Sequence, residues 1–246
     1  NPTSCIYFTE YVDCNGDCYV DQDANGICDQ LEIFGCINPD ACNYNPSSTQ
    51  SSICTYPQED YLRALRDAIP DDAITIFGMT QMGYYSRSRW ISRSNKSYID
   101  SGYSGNLGFS FPTALGAKYG NPDKPVICIC GDGGFMMNAQ ELETAVRLEM
   151  NLICLILRDD SYGMIRWKQA NLGFDDYGLE YNNPDFVKFA ECHGAHGYRV
   201  EKSTNFVSLL KNCQEKSGVH VIELPVDYSE NDRILNHEIK DRSQNI

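Results

Sequence analysis

Basic residues are missing from the first part of this sequence. Residues 1–56 contain no lysine, arginine or histidine, whereas the whole chain of 246 residues carries a net charge of −14. No basic run occurs elsewhere, which excludes the phosphate-neutralising surface that nucleic-acid binding requires. Long apolar runs are missing as well, because a run such as residues 153–157 is too short to cross a bilayer. We therefore expect neither a nucleic-acid partner nor a membrane span.

Three other signals are absent. The chain opens without the charged and apolar regions of a signal peptide, and its first residue is Asn1 instead of Met, so we expect a fragment or a processed product. The fingerprint G-x-G-x-x-G does not occur, which disfavours a dinucleotide-binding oxidoreductase.

Cysteine and charge divide the sequence into unlike parts. Residues 1–56 hold seven of the 12 cysteines and eight acidic residues, and residues 57–246 hold five cysteines with 26 acidic and 20 basic residues. A segment of about 56 residues usually needs disulfides or metal, whereas about 190 residues build an ordinary core. We predict a cysteine-rich segment at 1–56, a domain at 57–232 and a C-terminal tail at 233–246. The odd cysteine number leaves one unpaired within the segment, and the sequence does not choose the other pairings.

The run DQDANGICDQLE, residues 21–32, satisfies the calcium-loop pattern D-x-[DN]-x-[DN]-G-x5-E. Hard Ca²⁺ prefers such a shell of oxygens. The predicted ligands are Asp21, Asp23, Asn25, the Ile27 carbonyl, Asp29 and Glu32. The segment, with GCINPDACNYNP at 35–46, resembles the thrombospondin type 3-like calcium-binding repeats of bacterial surface proteins. An acidic solvated turn is the alternative interpretation.

Apolar runs alternate with helical patterns after residue 56. The runs 73–77, 125–130, 151–157 and 219–224 are typical of buried strands, and 196–200 is strand-like. Helices are predicted over 58–69, from near Leu107 to Gly120, over 141–148, near 183–192 and across 205–216. This alternation predicts an α/β fold, in which helices cover both faces of a parallel sheet.

Two polar loops follow the strongest strands, so both are expected at the carboxyl edge of the sheet, where such folds bind ligands. GDGG at 131–134 brackets Asp132 with glycines whose N–H groups can face a phosphate. Asp159 follows 27 residues later, in the loop RDDSYG. A lone GDG favours a tight turn. Two carboxylates at this spacing favour instead a shared Mg²⁺ that bridges phosphate groups.

These loops, with SGYSGNLGFSFPTALGAKYG at 101–120, resemble the thiamin diphosphate-dependent enzymes, most closely the acetolactate synthase-like group. The resemblance runs from about Tyr56 to Asn231 and covers the family's diphosphate-binding domain. It implies that Asp132, Asp159 and the Ser161 carbonyl bind Mg²⁺. The implied contacts of thiamin diphosphate are Thr80, Gln81, Gly105, Leu107, Gly131, Gly133, Gly134, Tyr162, Gly163 and Met164. For Leu107 and Met164, ordinary helix packing is the alternative.

The resemblance implies a 2-oxo acid substrate such as pyruvate, with decarboxylation and carboligation, in a homo- or hetero-oligomer. The family's activating Glu lies on a pyrimidine-binding domain with no candidate here, so we expect that domain or subunit to act in trans and no catalytic residue in this chain. The enzyme part predicts a cytoplasmic protein and the repeat segment an extracellular one. The alternative function is a secreted or surface calcium-binding structural or adhesion protein whose α/β part is inert, and an artificial fusion is a further alternative.

Overall fold

The structure, a computed structural model, describes residues 11, 18–22, 25, 27–37, 39, 41, 44–51, 54, 56–102, 104–201, 205–228 and 231–238. The chain divides into two units, residues 1–55 and residues 56–246. We call them the head and the α/β domain and describe each by itself.

Two disulfides cross-link the described part of the head, Cys18–Cys28 and Cys36–Cys54. Regular structure is limited there to a 3-10 turn at Asp29–Leu31 and to two short parallel strands, β1 (Phe34–Gly35) and β2 (Gln50–Ser51). A unit with so little regular structure depends on its cross-links, because it cannot bury a large apolar area.

The α/β domain alternates strands and helices along its length. Its elements are β3 (Tyr56–Pro57), α1 (Gln58–Ala68), β4 (Ile74–Phe77), α2 (Gln81–Arg89), β5 (Tyr98–Asp100), α3 (Ser110–Gly120), β6 (Val126–Gly131), α4 (Asp132–Met136), α5 (Glu141–Arg147), β7 (Leu152–Arg158), α6 (Gly163–Asn171), α7 (Phe186–Cys192), β8 (His196–Arg199), α8 (Phe206–Glu215), β9 (Val219–Asp227) and a π-helix at Asp232–Glu238.

The described strands of the domain form one parallel sheet in the order β5-β4-β6-β7-β9, and both β3 and β8 pair with the outer edge of β9. One row of register partners runs across the centre through Ile76, Cys128, Cys154 and Val221. The central strands are continuous apolar runs because helices cover both faces of a parallel sheet. The predicted parallel α/β fold is confirmed.

One face of the sheet packs against α3, α4, α5 and α7. Phe135 of α4 is fully buried there and makes edge-on ring contacts with Phe111 and Phe186 at centroid distances of 5.4 and 5.8 Å. On α1 and α8, Tyr61 and Phe206 make a similar contact at 5.2 Å. The core therefore fixes the strands whose carboxyl ends carry the two polar loops.

Two predicted helix starts are wrong. Helix α3 begins at Ser110 and not near Leu107, because Gly108 has a φ of +79°, which no right-handed helix contains. The helix predicted near 183–192 begins only at Phe186, where the Asp185 side chain accepts hydrogen bonds from two backbone N–H groups. The π-helix places structured chain as far as Glu238, inside the predicted tail of 233–246, and Ile234 within it is fully buried.

In the part of the chain that the structure describes, no helix combines the length and the apolar character that crossing a membrane demands.

Candidate functional site

Asp132 and Asp159 lie at the carboxyl ends of neighbouring parallel strands. Asp132 follows β6 directly and begins α4, and Asp159 follows β7. The pairing of these strands brings the Asp159 backbone N–H to within 3.2 Å of Asp132 Oδ2. The two loops that the sequence places at one edge are therefore in direct contact.

The Asp132 carboxylate is almost completely buried, and it accepts five hydrogen bonds. The donors are the N–H groups of Gly133 (2.9 Å), Asp159 (3.2 Å) and Asp160 (2.9 Å), the Tyr181 hydroxyl (2.7 Å) and the Asn183 amide (2.7 Å). Charge-assisted hydrogen bonds of this kind hold a carboxylate in one orientation. Asp132 is therefore the fixed acid of the pair.

The surroundings of Asp159 disfavour the charged form of its carboxyl group. Burial, and then the charge of Asp132, raise the pKa of the Asp159 carboxyl to about 7, against a smaller opposing contribution from its hydrogen bond with Ser161 Oγ at 3.1 Å. Two carboxylates that repel each other in a partly buried site are stabilised by a cation between them. The donor set of two carboxylates and the nearby Ser161 carbonyl consists of oxygens, which suits a hard divalent ion such as Mg²⁺.

A pocket of about 60 Å³ lies beside these carboxylates. Most of the predicted cofactor contacts line it: Thr80, Leu107, Gly131, Gly133, Gly134, Tyr162, Gly163 and Met164. Gly163 is required here because a side chain would collide with the Asp159 carboxylate and with the Tyr228 ring, whose Cζ lies 2.7 Å from the added carbon. Gly163 therefore allows the loop after β7 to pack directly against Asp159 and Tyr228 at the edge of the pocket.

The structure does not bring Gln81 and Gly105 to the pocket lining. Gln81 is fully buried, and its amide donates hydrogen bonds to the Tyr85 hydroxyl and to Asn231. Gly105 lies against Met79, which itself lines the pocket. Gln81 follows the lining residue Thr80 directly, and Gly105 lies two residues before the lining residue Leu107, so the cofactor contacts of these two residues stay a prediction.

Sequence reasoning missed Tyr181 and Asn183. An antiparallel bridge between Ser161 and Glu180 folds their segment back over the loop after β7. The Tyr181 hydroxyl donates to Asp132 Oδ1 at 2.7 Å and to the Ser161 carbonyl at 3.1 Å, so it lies between two predicted Mg²⁺ ligands. Asn183 Oδ1 is buried and has no hydrogen-bond partner among the residues that the structure describes. The polar run before Pro184 is the sequence signal that could have indicated them.

A network of charged side chains around the buried Glu223 supports the loop after β7. Glu223 is fully buried on β9 and accepts hydrogen bonds from Arg158 at 2.7 Å and Arg199 at 3.0 Å. Arg158 also donates to Asp160 at 2.9 Å, and Asn183 donates to the same Asp160 oxygen at 2.8 Å. Because the Asp160 N–H donates to Asp132, this network fixes the loop on which the carboxylate pair depends.

A larger cavity of about 210 Å³ lies at the opposite edge, where the strands begin, and is lined among others by Lys118, Lys124, Lys216 and His220. Of the described residues that line it, Asp123 alone carries a carboxylate. We therefore place the candidate site at the carboxyl edge in spite of its smaller volume.

The described part of the predicted calcium loop is held by hydrogen bonds among its own side chains. Asp21 accepts from the Asn25 N–H at 3.1 Å, the Asn25 amide donates to Glu32 at 3.1 Å, and Asp29 accepts from the Gln22 N–H at 2.9 Å. The Asn25 side chain in turn accepts from the Ile27 N–H at 2.7 Å. The predicted ligand Asp23 lies outside the described residues. Calcium binding stays a prediction.

The α/β domain is similar to domains of known proteins. Residues 77–224 match the family described as thiamine pyrophosphate enzyme, C-terminal TPP binding domain. An acetolactate synthase of Bacillus subtilis is 35% identical over 178 residues, 70% of this chain and 30% of that protein. A catabolic acetolactate synthase of Raoultella terrigena is 31% identical over 175 residues, 71% of this chain and 31% of that protein.

Among solved structures, a thiamine diphosphate-dependent 4-hydroxybenzoylformate decarboxylase of Rhodococcus jostii RHA1 is similar with a TM-score of 0.67 and 28% identity, over 72% of this chain and 33% of that one. The chain thus spans about a third of the length of the proteins it matches. Together with the two strand-end loops, these similarities establish that the chain belongs to the thiamine pyrophosphate enzymes, through their C-terminal TPP binding domain.

Proposed function

We propose that the α/β domain binds thiamin diphosphate through Mg²⁺ and forms the diphosphate-binding part of an acetolactate synthase-like enzyme that decarboxylates and joins 2-oxo acids. The observation that carries this proposal is the carboxylate pair. Asp132 is fixed by five hydrogen bonds, whereas Asp159 is driven towards its neutral form unless a cation offsets the repulsion.

Each residue of the site has a role in this proposal. Asp132, Asp159 and the Ser161 carbonyl hold the cation, and the N–H groups of Gly134 and Gly163, in the first turns of α4 and α6, face the diphosphate. Leu107, 37% exposed at the pocket, supports the ring system of the cofactor. When bound, thiamin diphosphate supplies an ylid that adds to the carbonyl of a 2-oxo acid and takes up the electrons left by decarboxylation.

The proposed active site needs a second domain. The similarity covers the C-terminal TPP binding domain, and the activating Glu of the resembling enzymes lies on a pyrimidine-binding domain. We propose that such a domain, in a longer form of this chain or on another subunit of an oligomer, completes the site. Pyruvate is the proposed substrate, because two of the relatives above are acetolactate synthases and the acetolactate synthase-like group that the sequence resembles acts on this 2-oxo acid.

Titration calorimetry of the full chain tests the proposal, with thiamin diphosphate as one probe and inorganic pyrophosphate, which needs the diphosphate half alone, as the second. We expect binding of both probes to require Mg²⁺ and to be lost in Asp132→Ala and Asp159→Ala. Asp72→Ala, an exposed substitution outside the pocket, is the matched control and should bind like the wild type. Equal binding by all four proteins, or no Mg²⁺-dependent binding of either probe to the wild type, would refute the assignment.

A further inference from the structure

Three cysteines of the α/β domain converge inside its core. The parallel pairing of β6 and β7 sets Cys128 directly opposite Cys154, and Cys130, two residues further along β6, points to the same face. The three sulfur atoms all lie within 4.8 Å of one another, and those of Cys130 and Cys154 are 3.7 Å apart. Among the described residues, this is the one group of three His, Cys, Asp or Glu side chains that gathers its ligand atoms so closely.

The surroundings of this thiol cluster, Cys128, Cys130 and Cys154, are apolar. All three residues are at most 1% exposed, are not disulfide-bonded, and belong to the core between the sheet and helices α3, α4, α5 and α7. The sequence predicts three separate inert thiols, because it shows apolar strands but not their register. Because the register of β6 and β7 brings the three sulfur atoms together, they form one set of soft metal ligands.

We propose that Cys128, Cys130 and Cys154 form a binding site for a single monovalent thiophilic ion, for which Cu⁺ is the test case. Three sulfurs around one ion at about 2.3 Å lie about 4 Å from one another. The observed spacing therefore requires shifts of less than about 1 Å to reach that geometry.

Charge and ligand number favour a monovalent ion. Structural Zn²⁺ takes four ligands, whereas the cluster offers three, and soft thiolates select Cu⁺. When one ion binds, one thiol loses its proton to solvent. One thiolate, two thiols and one monovalent cation then leave the apolar core without net charge, and this avoids the cost of a buried unpaired charge.

The thiol cluster is distinct from the proposed Mg²⁺ site. Cys130 lies two residues before Asp132, but its sulfur is part of the core, whereas the Asp132 carboxylate lines the pocket. Sulfur ligands select soft ions and oxygen ligands select hard ones, so the two sites should not exchange their metals. This proposal does not depend on the proposed cofactor function.

The test is an anaerobic titration of the full chain, its disulfides intact, with Cu⁺ in competition with the chelator bicinchoninate. The cluster variants are Cys128→Ala and Cys154→Ala. Two controls keep the thiol count matched: Cys213→Ala removes a buried thiol outside the cluster, and Cys192→Ala removes an exposed one. We expect wild type and controls to bind one ion at this site, and the cluster variants to bind it on the order of 100-fold more weakly.

X-ray absorption of the Cu⁺-loaded wild type keeps the proposal testable if a cluster variant does not fold. We expect three sulfur neighbours at about 2.3 Å. Equal Cu⁺ retention by Cys128→Ala and Cys213→Ala would overturn the proposal. So would coordination of the wild-type ion by fewer than three sulfurs, or by nitrogen and oxygen.

Discussion

The head and the α/β domain use the same residue type, cysteine, in opposite ways. In the head, four described cysteines form two disulfides, and Cys28, Cys36 and Ala41 are the buried hydrophobic residues among those described. In the domain, five cysteines are free thiols, four of them buried, within a large apolar core. Covalent cross-links therefore hold the head, whereas burial of apolar side chains holds the domain.

The largest expected difference between the head and the α/β domain is their response to reduction of the disulfides. Cross-links at sequence separations of 10 and 18 stabilise the head, in the chain-entropy account, by about 6 kcal/mol together. We expect a thiol reductant to abolish amide-exchange protection of the described head residues, such as those of β1 and β2, and to leave the protection of β6 and β7 unchanged. Equal loss of protection in both units, or none in the head, would break the comparison.

Substitution of Asp159 should reveal how much its charged carboxylate destabilises the α/β domain. Because the folded-state pKa of about 7 is above the ordinary value of 3.8, the Asp159 contribution to stability is fully present below pH 4 and is lost as the pH rises towards 7. Without divalent ions, Asp159→Asn should therefore be more stable than the wild type at pH 8 by about 2–4 kcal/mol, with no difference near pH 4.

Urea denaturation at the two pH values measures this difference. Asp175→Asn, an exposed substitution in the same domain, serves as the control and should change stability at neither pH. A wild type as stable as Asp159→Asn at pH 8 would mean that the carboxylate pair is not strained.

The Tyr181 hydroxyl should have a smaller effect. It bridges Asp132 and the Ser161 carbonyl, so a cation that joins these oxygens has to replace it. Tyr181→Phe removes the hydroxyl and keeps the ring, and we expect Mn²⁺, measured by paramagnetic resonance, to bind about tenfold more tightly, or about 1.4 kcal/mol. Tyr177→Phe, 87% exposed in the same segment, is the matched control. Unchanged or weaker Mn²⁺ binding by Tyr181→Phe would show that the hydroxyl does not compete with the cation.

Local pattern was sufficient to predict the sheet and the loops that carry the carboxylate pair. Buried parallel strands are continuous apolar runs, so β6 and β7 are visible in sequence, and parallel topology brings their carboxyl ends together. Helix α2 and strand β5 were missed because no apolar run marks them; all three residues of β5 are only partly buried.

The remaining site residues depend on tertiary contacts that no local pattern contains. Tyr181 and Asn183 reach Asp132 across 49 and 51 residues, through the bridge between Ser161 and Glu180. The thiol cluster depends on strand register, which the sequence does not specify for runs that are apolar on both faces. The hydrogen bond of Gln81 with Asn231, which lies 150 residues away, is a contact of the same kind.

In the proposed function, one divalent ion joins the loops after β6 and β7. Anomalous diffraction from crystals of the full chain grown with Mn²⁺ and thiamin diphosphate tests it most directly. We predict one Mn²⁺ peak about 2.1 Å from oxygens of Asp132, Asp159 and the Ser161 carbonyl, with the diphosphate beside Gly134. A peak at the opposite edge of the sheet, or a diphosphate bound away from both loops, would contradict the account.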